Sequence, residues 1–186
     1  MYYLFDNINN YNDNDYKSFY NRLNKSDRIK IDKLINNNDN KLTILSRMLL
    51  DRLLNKYYNI SYFDINIKYN KYNKPYTDNI CFNISHSNDY VCAVVSDKNV
   101  GIDIEFIREV DINTIKYYCN TKEIDFILNS KNKYKSLFQI YCLKEACVKM
   151  LGTGIRDLKN VNYNNYNYKL DYSIDNYVIA IIEEKD

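Results

Sequence analysis

Two acidic residues stand two positions apart in a short apolar segment, VGIDIE, at residues 100–105. The alternation predicts a β-strand in which Asp103 and Glu105 project from one face and Ile102 and Ile104 from the other. Two carboxylates side by side repel each other, so either this face is solvated or a positive charge lies between them. The segment by itself leaves both interpretations open.

A polar stripe on a long predicted helix supplies a third carboxylate. Tyr141, Glu145 and Lys149 recur at intervals of four residues, which places them on one helical face. The ordinary interpretation is a solvated Glu–Lys pair. If Glu145 instead faces the VGIDIE strand, three carboxylates converge and require a divalent cation. Oxygen ligands suit Mg²⁺ or Mn²⁺, and Mg²⁺ commonly binds carboxylates together with the phosphates of a substrate.

The segment FNISHS contains the only histidine of the chain, His86, between Ser85 and Ser87. A lone histidine at a strand end is commonly a hydrogen-bonded structural residue. In this setting, however, hydroxyl, imidazole and backbone NH groups could together hold a phosphate. Lys74 and Lys149 would add positive charge. The sequence therefore suggests a metal and a phosphate bound at neighbouring positions.

The overall charge is small: 26 basic and 24 acidic residues give a net charge of +2. Such a balance argues against nucleic acid or an anionic membrane as a partner, and an anionic ligand must be held locally. No apolar run approaches the roughly 20 residues that span a bilayer. The N-terminal segment MYYLFDNINN lacks the pattern of a signal peptide, so we expect a cytoplasmic protein.

Five cysteines, an odd number without a CxxC pair, argue against a disulfide framework and a zinc site, and we expect reduced thiols. The asparagine-rich segments YNDND, NNNDN and NYNNYNY are interpreted as loops or frayed ends. Because asparagine often replaces glycine in turns, the three glycines, Gly101, Gly152 and Gly154, mark positions where a Cβ is not tolerated.

Hydrophobic periodicity predicts helices that alternate with antiparallel strands. Helices are predicted over 26–35 (capped by Ser26 or Asp27), 41–57, 111–129 and 134–151, and strands over 62–69, 80–85, 90–96, 100–105, 163–172 and 177–184. The two strands around HSND form a predicted hairpin. This order predicts an α+β fold of two similar lobes, residues 1–99 and 100–186, each with a small antiparallel sheet packed on helices.

Four segments, in their order, resemble the Sfp-type 4′-phosphopantetheinyl transferases. That family carries a Gly-Lys-Pro turn, an NxSHS segment, a G(I/V)D(I/V)E strand and a KEA helix. The corresponding segments here are Asn73-Lys74-Pro75, FNISHS, VGIDIE and YCLKEA at residues 141–146. In the related small trimeric holo-acyl-carrier-protein synthases the Ser-His element follows the KEA helix. The order found here is similar to the pseudo-dimeric type, which acts as a monomer.

The resemblance implies a reaction and a role for each matching residue. A serine hydroxyl of an apo acyl or peptidyl carrier protein attacks the β-phosphate of coenzyme A, and adenosine 3′,5′-bisphosphate is released. Glu145, directly or through a metal-bound water, accepts the hydroxyl proton, with Lys144 and His86 as further catalytic residues. The implied Mg²⁺ ligands, for which Mn²⁺ is a plausible substitute, are Asp103, Glu105 and Glu145; the implied coenzyme A contacts are Ser85, His86, Lys74, Lys144 and Lys149.

Three positions depart from the family pattern. Tyr141 replaces the usual tryptophan of the KEA helix, and Asn73 replaces the glycine of the Gly-Lys-Pro turn, where asparagine can also adopt a left-handed conformation. The family commonly places an arginine near the start of the first long helix to contact the adenosine 3′-phosphate. Lys41 is the substitute here, with the charge but without the bidentate guanidinium.

Two other functions compete with the transferase. The first is a different Mg²⁺-dependent phosphate transfer or hydrolysis; the absence of a GxxxxGK[ST] segment weakens a nucleoside triphosphatase. The second is a domain that binds coenzyme A or a carrier protein without turnover. The sequence does not identify the carrier, because its lysines form no single patch, and fatty-acid, polyketide and nonribosomal-peptide carriers all remain open.

Overall fold

A computed structural model describes residues 1–154 and 158–185 of the chain. Its strands are β1 (Tyr2–Asn7), β2 (Lys68–Tyr69), β3 (Pro75–Tyr76), β4 (Cys81–Ser87), β5 (Tyr90–Ser96), β6 (Val100–Phe106), β7 (Asn167–Asp171) and β8 (Tyr177–Glu183). Its helices are α1 (Asp13–Arg22), α2 (Lys25–Asp32), α3 (Asn37–Tyr58), α4 (Thr121–Asn129) and α5 (Lys133–Leu151). The predicted α+β class is confirmed.

The first sheet belongs to the first half of the chain and has the antiparallel order β1-β5-β4. One face packs on α3, whose residues Leu45, Leu49 and Leu53 are fully buried together with Phe82 of β4 and Val91 of β5. The leucines recur at intervals of four residues, so they form one stripe along the helix. Burial of that stripe fixes α3 against the sheet.

The second sheet belongs to the second half and has the antiparallel order β6-β8-β7, with α5 packed on one face. The closest approach of helix and strand is at Gly101, where a Cβ atom would lie 2.0 Å from the backbone oxygen of Ala146. A side chain at this position would push the helix off the strand. The glycine of VGIDIE is thus explained by a neighbouring backbone, one of the reasons for which a strand interior contains glycine.

The two sheets meet through an apolar cluster and through side chains of β4. Cys92 of β5 and Ile102 of β6 are fully buried in the shared cluster. The side chain of Asn83 accepts a hydrogen bond from the backbone NH of Ile102 (3.1 Å), and Ser87 Oγ accepts one from the NH of Phe106 (3.2 Å). Alternate residues of the FNISHS strand therefore join the first sheet to the edge of the second.

Several predicted boundaries are corrected because asparagine caps were overlooked. Helix α2 begins after Asn24, not at Ser26 or Asp27, and α3 begins after Asn36, within the predicted NNNDN loop. Strand β1 and helix α1 were not predicted. Asn12, in the segment YNDND, forms a capping box that starts α1. These segments are helix starts rather than frayed ends, because an asparagine side chain satisfies the free NH groups of the first turn.

Other corrections concern segments that are less regular than predicted. The predicted strand 62–69 contains a 3₁₀ turn, Tyr62–Asp64, and only β2 is extended. The predicted helix 111–129 is a 3₁₀ segment followed by α4, and the predicted strand 163–172 retains only β7. The hairpin turn is also shorter than HSND, since β4 continues through Ser87.

All four non-glycine residues with a positive φ in the described chain are asparagines, Asn59, Asn73, Asn88 and Asn176. Asn73 has φ 63°, so the left-handed turn expected at the Asn-Lys-Pro segment is present. The five cysteines are all free. Within the described ranges, none of the helices combines the length and the apolarity that a membrane span requires.

Candidate active site

The acidic face of β6 is turned toward α5, which contributes the third predicted carboxylate. Asp103 is 3 % exposed and Glu145 is 5 % exposed, so neither belongs to a solvated surface. The close approach at Gly101 brings the helix near enough for Glu145 to interact electrostatically with Asp103. The alternatives of a solvated strand face for Asp103 and a solvated Glu–Lys pair for Glu145 are therefore excluded.

Asp103 forms a three-residue contact with side chains from two other elements. Lys149 Nζ of α5 lies 2.5 Å from Asp103 Oδ1, and Ser85 Oγ of β4 donates a hydrogen bond to the same oxygen at 2.8 Å. Lys149 Nζ also donates to Ser85 Oγ, at 2.6 Å. Burial alone would lower the pKa of Lys149, but the charge and hydrogen bond of Asp103 raise it above the ordinary value.

Two carboxylate oxygens beside this contact have no hydrogen-bond partner among the described residues: Oδ2 of Asp103 and Oε1 of Glu145, both buried. Unpaired buried acceptors are rare in folded proteins, and each requires an explanation such as an ion. Across residues 1–154 and 158–185, no three His, Cys, Asp or Glu side chains are arranged to hold a metal ion together. The donor chemistry and the unpaired oxygens nevertheless fit a hard divalent cation.

Glu105 lies on the same face of β6 as Asp103 and is the third carboxylate of the site. Burial, followed by the charge of Asp103, raises its pKa to about 7. Burial and Asp103 also raise the pKa of Glu145 above the ordinary value. Both shifts have the direction expected for carboxylates that are desolvated beside like charge. The site is thus electrostatically short of positive charge despite Lys149.

A cleft of about 350 Å³ opens beside the Asp103 contact, between α3, β4 and α5. His86 is exposed at its edge, and partial burial of the ring and then the charge of Lys149 lower the pKa of the imidazole. Arg47 contributes a guanidinium whose Nε is buried without a hydrogen-bond partner in the described chain. The lining residues are Thr43, Ser46, Arg47, Ile84, Ser85, His86 and Lys149.

A second cleft, of about 240 Å³, shares Ile84 and Lys149 with the first and is also lined by Glu145, Lys74 and Gly152. The ammonium of Lys74 donates to the backbone oxygen of Met150 at 2.6 Å, near the end of α5. Burial lowers the pKa of this lysine. The Asn-Lys-Pro turn therefore lines the same opening as Glu145.

Lys144 lies apart from the two clefts, and this placement does not support its predicted role as a catalytic residue and coenzyme A contact. Its side chain is completely buried, and Nζ lies 2.8 Å from Glu123 Oε2 of α4. The same ammonium donates to the backbone oxygens of Leu158 (2.9 Å) and Lys159 (3.2 Å). Adjacent helical positions are separated by about 100°, so the neighbour of Glu145 points to a different side of α5.

Lys41 also lies outside the two clefts, and its contact with the adenosine 3′-phosphate stays a prediction. It pairs with Asp13 of α1 at 2.8 Å and lies above the ring of Tyr16. Arg47, which the sequence interpretation overlooked, is the cation that α3 supplies. A signal was available: Thr43, Ser46 and Arg47 have helical spacing and interrupt an otherwise apolar segment.

Tyr141 occupies the position of the family's tryptophan on the same stripe of α5 as Glu145 and Lys149. Burial, followed by the charge of Glu145, raises the pKa of its hydroxyl. Its ring packs edge-on against Tyr118, with centroids 5.2 Å apart. The predicted polar stripe is thus present, and it faces the site rather than solvent.

Comparison with known proteins gives the same family for both halves of the chain. A family model described as "4′-phosphopantetheinyl transferase, N-terminal" matches residues 10–98, and one described as "4′-phosphopantetheinyl transferase superfamily" matches residues 99–181. The boundary between the two matches falls between β5 and β6.

Individual relatives match part of their own length. The 4′-phosphopantetheinyl transferase gsp of Aneurinibacillus migulanus is 32% identical over 126 residues, which are 66% of this chain and 53% of the relative. The transferase Sfp of Bacillus subtilis is 26% identical over 133 residues, 69% of this chain and 59% of the relative. The chain thus spans little more than half of these curated relatives.

One solved structure, the holo-[acyl-carrier-protein] synthase of Thermotoga maritima, matches with a TM-score of 0.40 and 22% identity, over 47% of this chain and 64% of that protein.

Proposed function

We propose, because this chain belongs to the 4′-phosphopantetheinyl transferase superfamily, that it transfers the 4′-phosphopantetheine arm of coenzyme A to a serine of an apo acyl or peptidyl carrier protein. The transfer requires Mg²⁺ and releases adenosine 3′,5′-bisphosphate. The observation that supports it best is the pair of unpaired buried oxygens, on Asp103 and Glu145, beside two adjoining clefts that form one opening lined by Glu145 and by cationic side chains.

The carboxylates of this opening hold the metal. Asp103, Glu105 and Glu145 bind Mg²⁺, and the unpaired oxygens of Asp103 and Glu145 support this assignment. When bound, the ion neutralises charge on the pyrophosphate and stabilises the charge that develops as the phosphate bond breaks. Glu105, which is buried beside like charge, gains the counter-charge that it lacks.

The cationic side chains of the clefts hold the phosphates. Lys149, His86 and Arg47 line one cleft and Lys74 lines the adjoining one, so a polyphosphate at their junction meets donors on two sides. Ser85 adds a hydroxyl at the same junction. These groups stabilise negative charge on the non-bridging and leaving oxygens during attack.

Glu145 accepts the proton of the attacking serine hydroxyl. Its Oε1 is free of hydrogen bonds within the described residues, and burial raises the pKa of its carboxyl group. A carboxylate held within hydrogen-bond reach of a serine hydroxyl can accept its proton, directly or through a water, as the new bond forms. The proton leaves the serine as its oxygen bonds to phosphorus.

The chain acts as a monomer, because one copy contributes all the elements, α3, β4 and α5, that line the cleft. Its five free cysteines are typical of a protein that works in a reducing compartment such as the cytoplasm. The lysines of the sequence form no single basic patch that would mark where the carrier protein docks. The carrier is therefore identified by testing a panel of carrier proteins.

The test is incubation of the full chain with Mg²⁺, coenzyme A and a panel of apo carrier proteins, followed by intact-mass measurement. We expect a mass gain of one phosphopantetheine arm, and its loss in Asp103→Ala and Glu145→Ala with the circular dichroism spectrum unchanged. Full transfer by both variants would contradict the metal assignment. Coenzyme A binding in calorimetry without any mass gain would indicate a domain that binds without turnover. Phosphate release from ATP without a response to coenzyme A would indicate the hydrolytic alternative.

A further inference from the structure

We propose that Lys149 is a displaceable counter-ion of Asp103, which excludes a divalent cation from the carboxylates until a polyphosphate draws its ammonium away. The inference deepens the proposed function and rests on its assignment of a metal to this site. It concerns how this chain's own residues control the order in which the ligands bind.

The first observation is that the ammonium already occupies a position that a cation would need. Lys149 Nζ contacts Asp103 Oδ1 at 2.5 Å and Ser85 Oγ at 2.6 Å, so one of the two Asp103 oxygens is neutralised from within the chain. Two positive charges within a few ångströms repel strongly in a partly buried site. A metal at Asp103 and the ammonium in this position therefore compete for the same carboxylate.

The second observation is that Lys149 is partly exposed to the clefts, whereas its partner is buried. Its side chain is 29% exposed, whereas that of Asp103 is 4% exposed. Lys149 also lines both clefts, so its flexible stem reaches the space proposed for the phosphates. An anion in that space attracts the ammonium, and its departure removes the positive charge from Asp103 Oδ1, which keeps the hydrogen bond from Ser85.

The consequence is cooperative binding of metal and polyphosphate. Each ligand removes the obstacle to the other, and by thermodynamic linkage the coupling is equal in both directions. Without a polyphosphate the wild-type chain binds divalent cations weakly, although three carboxylates lie close by. A lysine that merely attracted phosphate would increase coenzyme A affinity but would leave metal affinity unchanged.

The test measures two affinities separately, in the absence of a carrier protein. Mn²⁺ binding is followed by the loss of the free Mn²⁺ paramagnetic resonance signal, and metal-free coenzyme A binding is followed by calorimetry. In Lys149→Gln we expect Mn²⁺ to bind about tenfold more tightly and coenzyme A about tenfold more weakly, as loss of one nearby charge predicts. Lys149→Met, a second variant, should shift both affinities in the same directions.

The matched control is Lys68→Gln, which removes the same charge from the chain at a surface position paired with Asp78, and it should leave both affinities at the wild-type values. Opposite shifts of the two affinities are a result that simple damage to the fold does not produce, because damage weakens both. Unchanged or weaker Mn²⁺ binding in both Lys149 variants, or unchanged coenzyme A binding, would overturn the proposal. If the opposite shifts occur but no carrier is modified, the transferase assignment fails and the counter-ion role stands.

Discussion

Helix α5 carries two lysines that pair with buried carboxylates, and the two pairs differ in how fully their atoms are satisfied. The ammonium of Lys144 contacts Glu123 and two backbone oxygens, and Glu123 Oε2 also accepts the backbone NH of Asn120 at 2.8 Å. The Lys149–Asp103 pair is open to a cleft and leaves Oδ2 of Asp103 unpaired.

The two lysine pairs of α5 therefore have different roles, one in the fold and one in the candidate site. The Lys144 pair joins α5 to α4 and to the segment 158–160, and within the described residues none of its buried polar atoms lacks a partner. The Lys149 pair has an acceptor without a hydrogen-bond partner and a partly exposed cation, which is the arrangement expected where a charged ligand binds. Four predictions test this contrast. They concern catalysis, stability, the response of stability to metal, and the dependence of stability on pH.

The largest contrast is expected in catalysis. Asp103→Asn should lower kcat/KM for carrier modification by about a thousandfold or more, roughly 4 kcal/mol, because it removes a metal ligand. Glu123→Gln removes one negative charge from the closed pair and should change kcat/KM per folded molecule by only a few-fold. The measurement is the initial rate of phosphopantetheine transfer, and equal losses in the two variants would contradict the division between the pairs.

The second contrast concerns stability. Lys144→Met leaves the Glu123 carboxylate and two backbone oxygens without their donor, and it should lower the free energy of unfolding in urea by about 3 kcal/mol. The double variant Lys144→Met/Glu123→Met should recover most of that loss, because an apolar pair replaces the buried charges. A double variant no more stable than the single one would indicate that the backbone contacts, rather than the ion pair, stabilise the fold.

The third contrast is the response of stability to metal. Lys149→Met should cost only about 1 kcal/mol, since solvent in the cleft partly replaces the ammonium beside Asp103. Saturating Mg²⁺ should raise the melting temperature of this variant more than that of Lys144→Met, because a ligand stabilises the state that binds it. An equal response to Mg²⁺ would remove the distinction between open and closed pairs.

The smallest effect is a pH dependence at Glu105. Folding raises the pKa of Glu105 to about 7. Because the folded state then holds the proton more tightly than the unfolded state, the protein loses stability as pH rises from the pKa of the unfolded chain toward 7. Without metal, Glu105→Gln should therefore stabilise the chain by about 1 kcal/mol at pH 8 and hardly at all at pH 4, the partial solvation of the side chain limiting the gain. A gain that is equal at both pH values would show that the charge is not the cause.

Helical and strand periodicity predicted much of this arrangement. Alternation in VGIDIE placed Asp103 and Glu105 on one face, and four-residue spacing placed Tyr141, Glu145 and Lys149 on one stripe. The order of FNISHS, VGIDIE and the KEA helix identified the family. Lys144 entered the predicted site only through the resemblance to the family motif, and the structure buries its side chain away from the clefts.

Predictions that depended on contacts between distant segments were less accurate. Lys41 and Arg47 lie on the same helix, and only the packing of α3 against the first sheet decided that Arg47, not Lys41, reaches the cleft. Asparagine caps were hidden by the compositional bias of the chain. Strand β1 was also missed, because it is held by pairing with β5, far away in the sequence.

The sequence by itself determined the local elements and the faces on which their charged side chains lie, because helix and strand geometry fix side-chain direction within a few residues. It also determined the need for glycine at position 101, although not the reason. Only the tertiary structure decided which backbone approaches that glycine, which lysine of α5 meets a carboxylate in an open cleft, and which is enclosed. Those outcomes depend on packing and on desolvation by segments far apart in the chain, and no local pattern encodes them.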